Sequence, residues 1–194
     1  VTTPLSFTLA AFILLAVPGP TNTLLWIGGA ERGARRALPL ALAEVAGYAT
    51  AIMLILFLLQ PLLEAVPWLR QALSLVVACY VLVLAQRLWR PLHNTPTTPT
   101  QITVAKVYAV TLLNPKAFVL ALSILPASNP GLHWYLLALA GIILSVGSGW
   151  VVLGALVGAA VGAGNVLMLK RVSAVVLAGF ASLLLWRVLQ GFLT

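Results

Sequence analysis

Acidic residues are almost missing from this chain: three glutamates and no aspartate among 194 residues. Charged residues of both signs make up only 7% of it, where a soluble domain carries about 25%. A soluble core is therefore excluded as the reading of a chain that is 62% hydrophobic. Cysteine is represented by Cys79 alone, inside an apolar run, so there is neither a disulfide framework nor a cysteine metal cluster. Two histidines, His93 and His133, fall in segments that read as loops, with no other ligand beside them. So thin a set of acids and bases gives little acid–base or metal apparatus, which disfavours an enzyme and implies no cofactor.

The long gaps between charges are more informative. None occurs from Val1 to Ala30, and none from Ala117 to Leu169. A bilayer span needs about 20 mostly apolar residues, so these gaps read as transmembrane helices. Nothing basic precedes the first apolar run, which reads as a retained span rather than a cleaved signal. The net charge of +8 could point to nucleic acid, but the basic residues cluster at the ends of apolar runs. That placement fits anionic lipid headgroups instead.

Six spans can be drawn, at roughly 4–29, 37–60, 68–89, 105–126, 134–158 and 171–192. The expected fold is an all-α integral membrane protein, a single membrane domain over residues 1–194. The loop `RPLHNTPTTPTQ`, residues 90–101, is the one long polar segment and divides the spans three and three. Arg32, Arg35, Arg36, Arg87, Arg90, Lys106, Lys170 and Arg171 fall at the first, third and fifth loops, against Arg70 and Arg187 on the other side. That bias places the three loops in the cytoplasm and both termini outside.

The two halves echo each other. A shift of 97 residues lays Pro18 over Pro115 and Leu88-Trp89-Arg90 over Leu185-Trp186-Arg187. Three spans per half is an odd number, so the second half would insert upside down. The expected plan is two inverted three-helix repeats, 1–89 and 105–194, joined by residues 90–104, with broken first and fourth helices.

The breaks carry the candidate site. In `LLAVPGPTNTLL`, Pro18 and Pro20 remove backbone donors and clash one turn back, while Gly19 allows a turn or a close approach. A helix restarted near Pro20 presents free N–H groups, the positive end of its dipole, beside Thr21 and Asn22. In `LLNPKAF`, Asn114 suits an N-cap, Pro115 the first helical position, and Lys116 adds a full charge. Both breaks lie about 15–20 Å along their spans, near the bilayer centre, where they must face protein or a water-filled cavity. Two helix starts and a lysine make an anion receptor suited to a carboxylate. Each break alone reads better as a packing kink; their equivalent positions, with Asn and Lys attached, favour a site.

Glu44 is the other buried charge, about 10 Å into the second span. It reads as a proton carrier, as a receptor for a substrate ammonium, or as an ion-pair partner of Lys116. In `GALVGAAVGAG`, residues 154–164, the glycines at 154, 158 and 162 permit close helix approach, inside the bundle first and at a homodimer interface second. Trp26, Trp68, Trp89, Trp134 and Trp186 stand near span ends as interfacial anchors do, and Trp150 does not.

These motifs resemble a known family. `PGPTN`, `ACYVLVLAQRLWR` and `LLNPKAFVLALSILP` look like the LysE/RhtB-type amino-acid exporters, over nearly the whole chain. Pro18-Gly19-Pro20 and Asn114-Pro115-Lys116 match the family's most specific signatures. The resemblance implies export of amino acids or their derivatives across the bacterial cytoplasmic membrane, driven by the proton gradient. The chain departs from many members at Ala43, where they have glycine. It departs again in `SVGSGW`, residues 145–150, which lacks the acid often found in the fifth span. Two other readings remain beside export: a non-transporting scaffold subunit, and a divalent-metal transporter, for which the clustered ligands are lacking.

Overall fold

Proline and glycine punctuate the helices wherever the chain changes direction. The structure is a computed structural model that describes residues 3–89 and 102–158, together with residues 171, 174, 175, 178, 179, 181, 182, 185, 186 and 190. All ten of these later residues are helical, and no strand occurs among the described residues. The 90–101 loop, His93, Gly162, Lys170 and Arg187 lie outside them.

Helix α1 (Pro4–Ala16) begins where the Thr3 hydroxyl accepts the Ser6 amide and Pro4 takes the first turn. It ends at the first break, and α2 (Pro20–Arg32) restarts at an angle of 63° to it. The second span starts earlier than the expected residue 37: Gly33 alone, at φ 75°, reverses the chain into α3 (Ala34–Leu54). The basic cluster there is helical because alanine and arginine favour helix, and one left-handed glycine completes the turn.

α3 runs through a π-helical turn (Ile55–Leu59) into α4 (Gln60–Ala65), so the helix continues to residue 65 rather than 60. The wider turn falls just before Pro61, which has no N–H to give to a regular helix. Then α5 (Pro67–Trp89) follows. The fourth apolar run is α6 (Val104–Leu112), α7 (Pro115–Val119) and a second π-helical turn (Leu120–Ile124), bent by 48° at its break. Pro126 follows that turn, and α8 (Leu132–Gly158) completes the described elements that are continuous. Among the described residues two helices, Ala34–Ala65 and Leu132–Val157, are long and apolar enough to cross a bilayer, and the number rises to four when each bent pair is one span.

The outer faces are apolar: Leu5, Phe12, Phe57, Leu58, Leu137 and Leu156 are all more than half exposed, as lipid contact requires. Trp68, Trp89, Trp134 and Trp186 are exposed too, whereas Trp26 is half-buried. Its ring packs edge-on against Trp150 of α8 at 6.2 Å, which gives both tryptophans a common use.

Helices α2 and α8 meet backbone to backbone. A Cβ at Gly29 would collide with the Val151 carbonyl, and one at Gly154 with the Trp26 carbonyl. Gly154 therefore serves packing inside the bundle. Gly29→Ala and Gly154→Ala are each expected to cost about 1–3 kcal/mol by overpacking, with a matching loss of folded protein. Gly141→Ala and Gly149→Ala, where an added Cβ meets nothing within 4 Å, serve as controls. Equal melting temperatures for all four variants would refute the close contact.

Candidate functional site

Breaking a helix at Pro18 and Pro20 strands carbonyl groups, and this site is built on that consequence. The helical partners of the Leu15 and Val17 carbonyls would be the amides of Gly19 and Thr21, which lie beyond the break. Side chains supply the donors instead. Asn22 Nδ2 donates to the Leu15 oxygen at 2.8 Å and to the Val17 oxygen at 3.0 Å. Lys116 Nζ donates to the same two oxygens, at 3.2 Å to Leu15 and in a shorter contact to Val17. Each carbonyl thus uses both of its lone pairs.

The lysine comes from the other break. Asn114 caps α7: its Oδ1 accepts the Lys116 amide at 3.1 Å, and Pro115 takes the first helical position. That start sends the Lys116 side chain across to the end of α1. Gly19 lets it pass, since a Cβ there would stand only 3.3 Å from Lys116 Cε and Nζ. A cation at the carbonyl end of a helix is also favoured by the dipole. The two motifs, about 97 residues apart in the chain, are one structure.

A second set of bonds ties the restarted helices to each other and to α3 and α6. Asn114 Nδ2 donates to Thr21 Oγ1 at 3.0 Å and to Tyr48 Oη at 3.1 Å. Thr111 Oγ1 stands 3.2 Å from Thr21 Oγ1 and donates to the Val107 carbonyl at 2.8 Å. Thr23 Oγ1 returns to the Gly19 carbonyl at 2.9 Å. The polar and charged side chains buried among the described residues are Thr21, Asn22, Thr23, Glu44, Thr111, Asn114 and Lys116. In this conformation the centre is sealed.

Glu44 lies one turn before Tyr48 on the same face of α3. Its Oε2 is buried with no hydrogen-bond partner. The carboxylate sits in a slot left by Gly147 of α8, where any Cβ would collide with Oε2; Leu25 and Ala41 form the neighbouring walls. The Lys116 ammonium is engaged with the α1 carbonyls, so the lysine and Glu44 occupy separate seats.

Thr111, Thr23, Tyr48 and Gly147 were not foreseen. Tyr48 and Thr111 carried a usable signal, standing one helical turn from Glu44 and three residues from Asn114. Gly147 carried none, because a glycine that makes room for a carboxylate looks like one that makes room for a helix.

At the far end of α2, an Arg32 guanidinium nitrogen donates to the Ile102 carbonyl, just before α6. The end of the first broken pair and the start of the second therefore lie side by side.

Paired broken helices with apolar outer faces and a buried polar centre are the features of a multi-pass helical membrane protein. The match to known sequences agrees: the chain belongs to the LysE type translocator family, whose model matches residues 12–187, both breaks and Glu44 included. Neither a curated protein nor a solved structure matches it.

Proposed function

We propose that this protein exports amino acids, or small zwitterions like them, from the bacterial cytoplasm by proton antiport. The observation that carries the proposal is the interlocking of two helix breaks and their polar side chains into one buried centre. Membership of a translocator family supports it. Asn22, Asn114 and Lys116 gather at one place instead of scattering over separate faces, and Glu44 Oε2 is buried without a hydrogen-bond partner, which supports a site over a non-transporting scaffold.

In this reading the substrate carboxylate is received by Lys116 and by the helix starts at Pro20-Thr21-Asn22 and Asn114-Pro115. Pro18 and Gly19 keep the first helix open there. Glu44 carries the coupled proton: an unpaired charge in that slot is costly, and the arrival of a cation removes the cost. The architecture we propose is six spans in one membrane domain, with inverted repeats 1–89 and 105–194 about the linker 90–104.

Efflux of a panel of labelled amino acids from cells with and without the protein tests the function. One or more should leave faster with it, and identical rates across the whole panel would refute export. Topology is tested by tags after Arg36, within 90–101 and near Gly164, all expected in the cytoplasm, with both termini outside. The Arg32–Ile102 contact supports the shared face of the first two tags. Cytoplasmic termini would overturn the orientation.

A further inference from the structure

The carbonyls of Leu15 and Val17 face a cation in the sealed centre, and that cation is part of the protein. Two converging backbone oxygens at the negative end of a broken helix would attract any ammonium that could reach them. Lys116 reaches them on a long, flexible stem, past the bare Cα of Gly19. Asn22 holds the same oxygens from a fixed position on α2, so they remain oriented whether or not the lysine is present. Nearby, the buried Oε2 of Glu44 has no hydrogen-bond partner.

A zwitterion entering this centre presents two needs. Its carboxylate needs a cation, and Lys116 is the buried cation at the site. Its ammonium needs acceptors, and if Lys116 turns to the carboxylate, one lone pair on each of the two carbonyls is freed while Asn22 keeps the other. We propose that the Leu15 and Val17 carbonyls form an ammonium seat, held by Lys116 in the sealed conformation and taken by the substrate ammonium when Lys116 turns to the substrate carboxylate. The takeover rests on the export reading; the seat itself does not. One consequence concerns substrate class. A primary ammonium supplies N–H donors to both oxygens, while a trimethylated nitrogen of equal charge supplies none.

The seat is tested by chemical replacement in purified full-length protein. Lys116→Ala removes the resident and leaves room for methylammonium. That probe should raise the melting temperature of Lys116→Ala by about 3–10 °C at roughly 10–100 times its Kd. Tetramethylammonium should not raise it, and wild type should respond to neither. Should Lys116→Ala fail to survive solubilisation, the yield of monodisperse protein becomes the readout, expected to recover in methylammonium and not in tetramethylammonium. Equal responses to both ions, or equal responses of variant and wild type, would overturn the seat. The takeover is read separately, by counterflow of an exported amino acid and of its N-trimethyl form through wild-type protein. At least a tenfold preference for the primary amine is expected. Equal rates, or a protein that shows the replacement effect but moves no amino acid, would overturn the takeover and leave the seat standing.

Discussion

Glu44→Gln is expected to abolish proton-driven accumulation while leaving exchange of substrate down its own gradient. Antiport needs a group whose proton state biases the affinity for substrate, a coupling typically worth about 1–3 kcal/mol, or roughly 5–150-fold in affinity. Glu44 is the buried acid at this centre, and its Oε2 faces Gly147 rather than any donor. Glutamine has nearly the same shape, so it fits the slot and keeps the packing of α3 against α8. It cannot carry a charge, so the proton gradient loses its handle. In proteoliposomes with an imposed pH gradient, the variant should hold substrate at equal concentrations on both sides, where wild type concentrates it. A variant that still concentrates substrate would rule out Glu44 as the proton carrier. One that fails even at exchange would make Glu44 a residue of binding or folding.

Lys116→Ala is expected to abolish efflux and to weaken the break in the first span, with the protein still inserted and present in quantity. The mutation withdraws two charge-assisted bonds from the Leu15 and Val17 carbonyls, and bonds to a charged group contribute about 1.5–3 kcal/mol each. Asn22 still donates to both oxygens, which limits the damage to the fold. No such substitute exists for the lysine's charge toward a substrate carboxylate. Truncating one partner of a buried charged pair costs about 2–5 kcal/mol, which is a loss of roughly 30-fold or more in binding. Efflux normalised to the amount of protein in the membrane separates these effects. Near-normal normalised efflux would reduce Lys116 to a clamp on the broken helix.

The breaks were legible because proline chemistry is local. Pro18, Pro20 and Pro115 cannot continue a regular helix, and Asn114 before Pro115 caps one in any surroundings. The partner of Lys116 was not legible. The sequence placed a positive charge at a helix start and invited an anion, but the ammonium reaches the negative end of α1, a contact between residues 101 positions apart. Only the packing of the two breaks against each other makes that end the nearest acceptor. Gly33 illustrates a different shortfall. One left-handed residue does the work of a loop, so charges that seemed to mark a connection lie on helices. The contact of Trp26 with Trp150 was hidden for a related reason: they are far apart in the chain, and only the crossing of α2 with α8 brings their rings together.

Counterflow through the purified protein tests the central claim most directly. Vesicles are loaded with an unlabelled amino acid that the efflux panel identifies, then diluted into a trace of the labelled form. Wild-type protein should produce transient accumulation of label with no ion gradient, since exchange requires only the binding centre and its two openings. Thr21→Val and Asn114→Leu, which remove the bond joining the two restarted helices and one each to Thr111 and Tyr48, should each slow the accumulation by at least tenfold. Accumulation no greater than in protein-free vesicles, or wild-type rates in both variants, would contradict the placement of an exporter's substrate site at the meeting of the two breaks.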